Sequence, residues 1–151
     1  MTETFAIQSD ISMLPVVEER LFHFCHECHA GDCFSTVSVA TLQAVANAIV
    51  HGNGSDASKH VSLTFDTCRG GIAVEVADEG RGFNFGHYGN LPVGDEEKGE
   101  GIFVMKSLAD RMEYSDGGRK VRMEFVVAGI APSDTLERIA ILQGHFATVA
   151  A

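Results

Sequence analysis

The 151-residue sequence is poor in basic residues. Lys and Arg number 11 against 21 Asp and Glu, which gives a formal net charge of −10. A chain with this net charge repels a phosphate backbone on average. The charge therefore argues against a general binder of nucleic acid or anionic membranes and leaves room only for a local basic patch. The sequence also lacks an apolar run near the roughly 20 residues that span a bilayer, and its first residues have no secretory pattern. We therefore expect a cytoplasmic protein without direct contact to nucleic acid or membrane.

Cysteine is scarce as well, with four residues in the chain. In a reducing compartment, four cysteines are more often free thiols or ligands than a disulfide framework. No internal repeat and no linker rich in Pro or Ser divides the sequence, and 45% apolar residues at this length suit one domain with a hydrophobic core. We expect that domain at 1–128, with 129–151 as a C-terminal helical extension that covers the core or docks a partner.

Glycine, in contrast, is abundant, with 16 residues in the chain. Nine of them fall between positions 70 and 101: Gly70, Gly71, Gly80, Gly82, Gly86, Gly89, Gly94, Gly99 and Gly101. Helices and strands have little use for so many glycines, so we expect a backbone in this region that approaches another group closely.

Hydrophobic periodicity predicts a strand and two helices in the first third of the chain. The strand covers 4–9 and the first helix about 13–29. The core-facing stripe of that helix consists of Val17, Leu21, Phe24 and Cys28. Ser35 is predicted as the N-cap of a second helix that reaches His51.

The rest of the chain alternates strands with helices. The predicted elements are a hairpin of strands at 61–65 and 72–76, a glycine-rich loop at 84–100, a helix at 102–112, a strand at 121–127 and a last helix from Ser133 or Asp134. The order βααββαβα predicts an α+β fold, a two-layer α/β sandwich in which helices cover a mixed, mostly antiparallel sheet.

The second predicted helix carries a polar stripe. Gln43, Asn47 and His51 follow one another at intervals of four residues, so they share one face of the helix. Such a stripe is often only the solvent side of an amphipathic helix, and spacing alone does not distinguish that from a binding site.

Two later segments have chemistry that suits a nucleotide. Asp78 to Phe83 directly follows a strand; Asp and Gly are common in turns, but a carboxylate there can also accept a hydrogen bond from the exocyclic amine of adenine. Gly99 to Ile102 is predicted to open a helix, where free N–H groups form an anion site suited to phosphate. The alternative is that its glycines only form the corner between loop and helix.

Taken in order, the three elements resemble the nucleotide-binding boxes of the GHKL (Bergerat-fold) ATP-binding superfamily. The segment 46–52 looks like the N box, 78–83 like the G1 box, and 99–102 with 108–110 like the G2 box. The resemblance covers about residues 5–127. The form of the N box is similar to that of the stand-alone anti-sigma factors that are serine-protein kinases.

The resemblance implies a site for ATP or ADP with Mg²⁺. Asn47 would hold Mg²⁺ with its amide oxygen, a hard ligand. Asp78 would select adenine through its N6 amine, while Gly80 and Gly82 let the backbone close on the base. The loop 84–98 would be the ATP lid. The other residues placed in the site are His51, Phe83 and Ile102 from the same boxes, and Lys98, Gly99 and Gly101 at the phosphates.

The resemblance also implies partners. Proteins of this kind sequester a sigma factor and are released by an anti-anti-sigma protein of the STAS type, which they phosphorylate on serine. Such anti-sigma factors commonly dimerise, so we expect a homodimer.

The sequence departs from the family at two places. Gln43 stands where the kinases carry the glutamate that polarises the attacking hydroxyl, and a neutral amide cannot accept its proton. Kinase activity is therefore expected to be weakened or lost, with nucleotide binding retained. The alternatives are a non-catalytic interaction module and the ATPase half of a histidine-kinase-like phosphotransfer system. The second departure is the segment 118–121, which lacks the small hydroxyl residue usual before the last core strand and puts one phosphate or base contact in doubt.

A cluster of thiols and imidazoles lies outside the boxes. Cys25 and His29 are four residues apart on the first predicted helix, with Cys28 and Cys33 nearby, so a zinc or redox site is physically possible. The cluster lacks a second well-spaced pair of ligands, and Cys28 lies on the apolar stripe. A helix end with buried thiols and solvated imidazoles is the favoured interpretation.

Overall fold

The structure is a computed structural model that describes residues 1–87 and 96–127. The strands and helices are β1 (Thr2–Gln8), α1 (Leu14–Glu27), α2 (Phe34–Asn47), β2 (His60–Cys68), β3 (Gly71–Ala77), α3 (Glu96–Leu108), β4 (Arg111–Ser115) and β5 (Lys120–Val126). The helix predicted from Ser133 or Asp134 and the middle of the predicted lid lie outside the described residues, as does the proposed extension 129–151.

The five strands form one sheet in the order β1-β2-β3-β5-β4. Every strand pair in the described part of the chain is antiparallel. This confirms the predicted two-layer α+β fold, with a sheet that is antiparallel throughout the described strands rather than mixed. The prediction missed β4, because only Met112 and Tyr114 alternate as apolar residues there and Met112 also fits the helical stripe that precedes it.

The core lies between the three helices and one face of the sheet. Its sheet side is formed by alternate residues of the three central strands: Val61, Leu63, Phe65, Ile72, Val74, Val76, Val121, Met123 and Phe125. Phe24 of α1 packs on Phe65 with 5.6 Å between ring centroids. Full burial of one such side chain contributes roughly 1.5–3 kcal/mol, so this face holds the layers together.

The stripe on α1 was predicted with one wrong residue. Val17, Leu21 and Phe24 are buried as expected, but the fourth buried residue is Cys25, and Cys28 is only half-buried. The helix ends at Glu27, and His29 has a φ of 58° that cannot continue it. Cys28 therefore lies past the helix, where the helical spacing no longer applies.

Helix α2 differs from its prediction at both ends. A 3₁₀ turn at Gly31–Cys33 runs directly into the helix, so Ser35 has no break to cap and the N-cap residue is Cys33. At the other end a π-helical turn, Ala48–Gly52, continues the helix. The expectation that no apolar run approaches the length of a membrane span is wrong by length and composition, because the run of 22 residues, Gly31–Gly52, is long and apolar enough to cross a membrane. In the fold, 56% of its apolar window is buried, as in a core helix.

Helix α3 begins six residues before its predicted start. The segment that begins it has Glu96, Glu97 and Lys98, which are residue types with a high helix propensity. Gly99 and Gly101 therefore lie inside α3 and do not open it. The helix also ends earlier, at Leu108, because Asp110 N–H donates to Glu124 O at 2.9 Å and the chain enters the sheet.

Candidate functional site

The end of α2, the end of β3 and the start of α3 meet around one cleft. Counting its open mouth, the cleft encloses about 420 Å³ of empty space. The predicted site residues on its lining are Asn47, His51, Asp78, Gly82, Phe83 and Lys98. Ala44, Ala48, Val76, Met105 and Val121 add an apolar wall. The polar stripe of α2 therefore faces a cleft at Asn47 and His51 and is not merely a solvated surface.

Asp78 lies one residue past the end of β3, and its half-buried carboxylate faces the cleft. Its Oδ1 accepts a hydrogen bond from Gly80 N–H at 2.8 Å, and its own N–H donates to Arg119 O at 2.9 Å. Burial raises the pKa of Asp78, an effect partly offset by the Gly80 N–H bond and by the charges of Lys98 and Arg119. The carboxylate is thus a hydrogen-bond acceptor held in a partly desolvated position.

Two glycines make room for Asp78. A Cβ on Gly52, at the end of the π-helical turn, would lie 2.5 Å from Asp78 Oδ2, and a Cβ on Gly80 would overlap Gly52 O. The backbones of the N box and the G1 box therefore touch at these two positions, and any side chain there would push the carboxylate away. This close approach explains Gly80, one of the nine glycines between positions 70 and 101, in terms of packing, as their excess had led us to expect, and it explains Gly52 as well.

Phe83 forms the far wall of the cleft. Its N–H donates to Gly117 O at 3.0 Å, and its ring lies edge-on to Tyr114 with 5.1 Å between centroids. Lys98 Nζ lies 3.5 Å from the centroid of the Phe83 ring, within the range of a cation–π contact. Gly82 has a φ of 77°, and a Cβ there would overlap Gly117 O.

Asn47 lines the cleft where α2 lies against α3. Its Nδ2 donates a long hydrogen bond to Met105 Sδ at 3.9 Å. A Cβ on Gly101 would lie 2.9 Å from Asn47 Nδ2 and 3.2 Å from Gln43 Oε1. Gly101 thus lets α3 approach the amide groups of α2, a packing role that its position in the sequence did not reveal.

Some predicted residues do not reach the cleft. Gly99 is buried within α3, Ile102 belongs to the core with 2% of its surface exposed, and Gln43 lies beside Asn47 without lining the cleft. Other lining residues were missed: Gly52, Tyr114, Gly118 and Arg119. Tyr114 was missed because strand β4 was not predicted. Gly118 could have been found, because the glycine pair 117–118 indicates a backbone that approaches another group closely.

The thiol cluster does not form a metal-binding group in the described part of the chain. There, no three His, Cys, Asp or Glu side chains lie together so that they could hold a metal ion. Cys25 and Cys33 are buried, and burial raises the pKa of Cys25 to about 12. A thiol with so high a pKa stays protonated and is a poor nucleophile and ligand at neutral pH.

Comparison with known proteins agrees with this geometry. A profile of the histidine kinase-like ATPase domain matches residues 21–125, and the chain belongs to this family. Within the family it is similar to anti-sigma F factors. Two of these, from type A strains of Clostridium perfringens, are 33% identical over 96 residues that cover 58% of this chain and 69% of the relative. A third, from another strain, is 30% identical over 93 residues, or 58% of this chain and 66% of the relative. The resemblance to the anti-sigma, kinase-type GHKL proteins is thereby confirmed.

The residues around the cleft fit an adenine nucleotide in their chemistry. One half-buried carboxylate, a wall of aliphatic and methionine side chains, an aromatic ring, an amide and a lysine face the same space. Largely apolar lining with a few directed polar groups is typical of small-molecule sites. The amide of Asn47 is also a suitable ligand type for Mg²⁺.

Proposed function

We propose that this protein is an ATP-binding anti-sigma factor of the serine-protein kinase type that acts by partner switching. The single observation that carries the proposal is the convergence of Asn47, Asp78 and Lys98 on one cleft from three separate elements. Membership of the histidine kinase-like ATPase family and similarity to anti-sigma F factors support it.

In this proposal each end of the cleft binds a different part of the nucleotide. At the β3 end, the Asp78 carboxylate accepts a hydrogen bond from the exocyclic amine of the base, which lies between apolar walls. At the α3 end, Asn47 would hold Mg²⁺. Lys98 would neutralise phosphate charge after its Nζ leaves the Phe83 ring, from whose centroid it lies 3.5 Å away. When bound, Mg²⁺·ATP supplies the phosphoryl group for transfer. Because the chain has a net charge of −10, binding a polyanion depends on the metal and on these few groups.

Gln43 determines how fast we expect the kinase step to be. It lies one turn before Asn47 on α2, with Oε1 close to the position that a Cβ on Gly101 would take. An amide orients a hydroxyl but cannot take its proton, and general-base catalysis typically contributes about 10²–10⁴-fold. We therefore propose a nucleotide-dependent regulator whose kinase step is slow or absent.

The proposed partners follow from the same family. They are a sigma factor, which the protein sequesters, and an anti-anti-sigma protein of the STAS type, which displaces it. We propose a homodimer that acts in the cytoplasm.

Nucleotide binding is the first test. Isothermal titration calorimetry with Mg²⁺·ATP and Mg²⁺·ADP should give measurable heat for the wild type and weaker binding for Asn47→Ala. Ser35→Ala is a matched control, because it is exposed on the same helix and far along it from the cleft. If the wild type binds neither nucleotide at high protein concentration, a non-catalytic scaffold is the better interpretation.

Phosphoryl transfer is the second test. Wild type and Gln43→Glu are incubated with γ-labelled ATP and the anti-anti-sigma partner. Acid-stable label that appears only, or at least about 10²-fold faster, with Gln43→Glu supports the weakened base. Equal rates contradict it, and acid-labile label indicates transfer to histidine.

A further inference from the structure

Arg119, which precedes β5, is bound to the loop that carries Asp78 by three hydrogen bonds. Its Nε donates to Gly80 O at 2.9 Å, and a terminal guanidinium nitrogen donates to Arg81 O at 3.3 Å. The other terminal nitrogen donates to Asp116 O at 2.9 Å. Its backbone carbonyl accepts the N–H of Asp78 at 2.9 Å. One residue thus ties the loop after β3 to the turn before β5.

The opposite side of the same loop is held by a buried amide. Asn53, with 2% of its surface exposed, accepts Glu79 N–H on Oδ1 at 2.7 Å. Its Nδ2 donates to Ser9 Oγ and to His60 O, so the amide is fully used in anchoring three segments. Asn53 therefore holds the loop through the backbone N–H of Glu79, and Arg119 holds it through the carbonyl oxygens of Gly80 and Arg81.

Only Arg119 of these two lines the cleft. Its guanidinium has five N–H donors in one plane. This arrangement suits hydrogen bonds to three separate carbonyl oxygens better than the compact ammonium group of a lysine does. The loop itself has two glycines, so its backbone is otherwise unusually free to rearrange. Loss of the guanidinium would break the hydrogen bonds to Gly80 O and Arg81 O. The Asp78 carboxylate would then no longer be fixed in position.

We propose that Arg119 is the positioning residue for base recognition: its guanidinium fixes the 78–82 loop so that the Asp78 carboxylate meets the base at a set place. The proposal rests on the proposed nucleotide site.

The test compares Arg119→Lys and Arg119→Met with the wild type. Lysine keeps the positive charge near Asp78 but cannot bridge three carbonyl groups. Arg122→Met is the matched control, because Arg122 pairs with Glu75 and Glu124, away from the cleft. Calorimetry is run with Mg²⁺·ATP, Mg²⁺·GTP and Mg²⁺·tripolyphosphate.

Both Arg119 variants should lose about tenfold in affinity for ATP, the effect of one charge-assisted hydrogen bond. Affinity for tripolyphosphate should be unchanged, and the preference for ATP over GTP should shrink. If Arg119→Lys binds like the wild type, the residue acts only through its charge and the proposal is wrong. An equal loss for ATP and tripolyphosphate also overturns it, because the residue would then serve the phosphates.

A second measurement does not depend on nucleotide. Hydrogen exchange followed by mass spectrometry should show at least about tenfold faster exchange of the peptide that covers 78–83 in Arg119→Lys, with β2 unaffected. If the wild type binds no nucleotide but this loop is released, the proposed function fails while the positioning role stands. Unchanged exchange in the loop refutes the positioning role itself.

Discussion

The two ends of the cleft are built differently. At the β3 end, the loop after Ala77 is fixed by Asn53, Arg119 and the close contact of Gly52 with Gly80. At the α3 end, Asn47 has a long contact to Met105 and faces a glycine of the neighbouring helix. The first end is held in place by directed hydrogen bonds, whereas the second depends on how closely α3 approaches α2. We infer that the end proposed to bind the base is preorganised and that the end proposed to bind the phosphates is adjustable, which suits a ligand whose phosphates change during its use.

The largest effect is expected from Gly82→Ala at the preorganised end. Gly82 has a φ of 77°, and a Cβ there would overlap Gly117 O, so both backbone strain and a clash oppose the change. We expect a loss of about 2–3 kcal/mol in the free energy of unfolding, measured by chemical denaturation. Gly86→Ala is the control, since its φ is not positive and its Cβ would meet, within the part of the chain that the structure describes, only Asn84 Oδ1 at 3.4 Å. Equal losses for both variants would show that the base end is not specially constrained.

Asp78→Asn should separate binding from stability. The asparagine keeps an acceptor for Gly80 N–H but removes a half-buried charge, so the melting temperature should not fall. Affinity for ATP should fall about tenfold or more, because a charge-assisted bond to the base becomes a neutral one. Calorimetry and thermal melting on the same sample measure the two effects. A variant that melts earlier and binds normally would mean that Asp78 has a purely structural role.

Gly101→Ala tests the adjustable end. Alanine favours a helix over glycine by about 1 kcal/mol, and the atoms that its Cβ would meet are the mobile ends of Asn47 and Gln43. We therefore expect unchanged or slightly higher stability, together with several-fold weaker binding of Mg²⁺·ATP as the Asn47 amide is displaced. Gly31→Ala controls for the helix effect, because a Cβ there meets no atom of residues 1–87 or 96–127 within 4 Å. Retained affinity would show that α3 does not need this close approach to form the phosphate end.

The pH dependence of binding gives the smallest effect. Burial raises the pKa of Asp78 above the ordinary 3.8, so the carboxyl is protonated at a higher pH than an exposed aspartate. Its protonation relieves a buried charge, and this contribution to stability is lost as pH rises through the raised pKa. Affinity for ATP should change in the opposite sense, falling as pH decreases through that pKa. In Asp78→Asn this acid limb should vanish; if it persists, another group titrates.

Much of this protein could be predicted from local patterns. Period-two alternation located β2, β3 and β5, and helical spacing located α1 and α2, because each element buries a face with its own period. Box residues such as Asn47, Asp78 and Lys98 were predicted by spacing and resemblance, and the structure brings them to one cleft. The strand β4 was not predicted, because two apolar residues are too few to distinguish a strand from the end of a helix.

The sequence by itself therefore determined the α+β class, the order of the core elements and the identity of the chemical groups at the site. Tertiary structure alone decided that Gly99 and Gly101 lie inside α3, that Cys25 rather than Cys28 enters the core, and that Arg119 holds the loop of Asp78. The physical reason is that periodicity reports which face of an element avoids water. Contacts such as that between Arg119 and Gly80, 39 positions apart, depend on which elements become neighbours in the sheet.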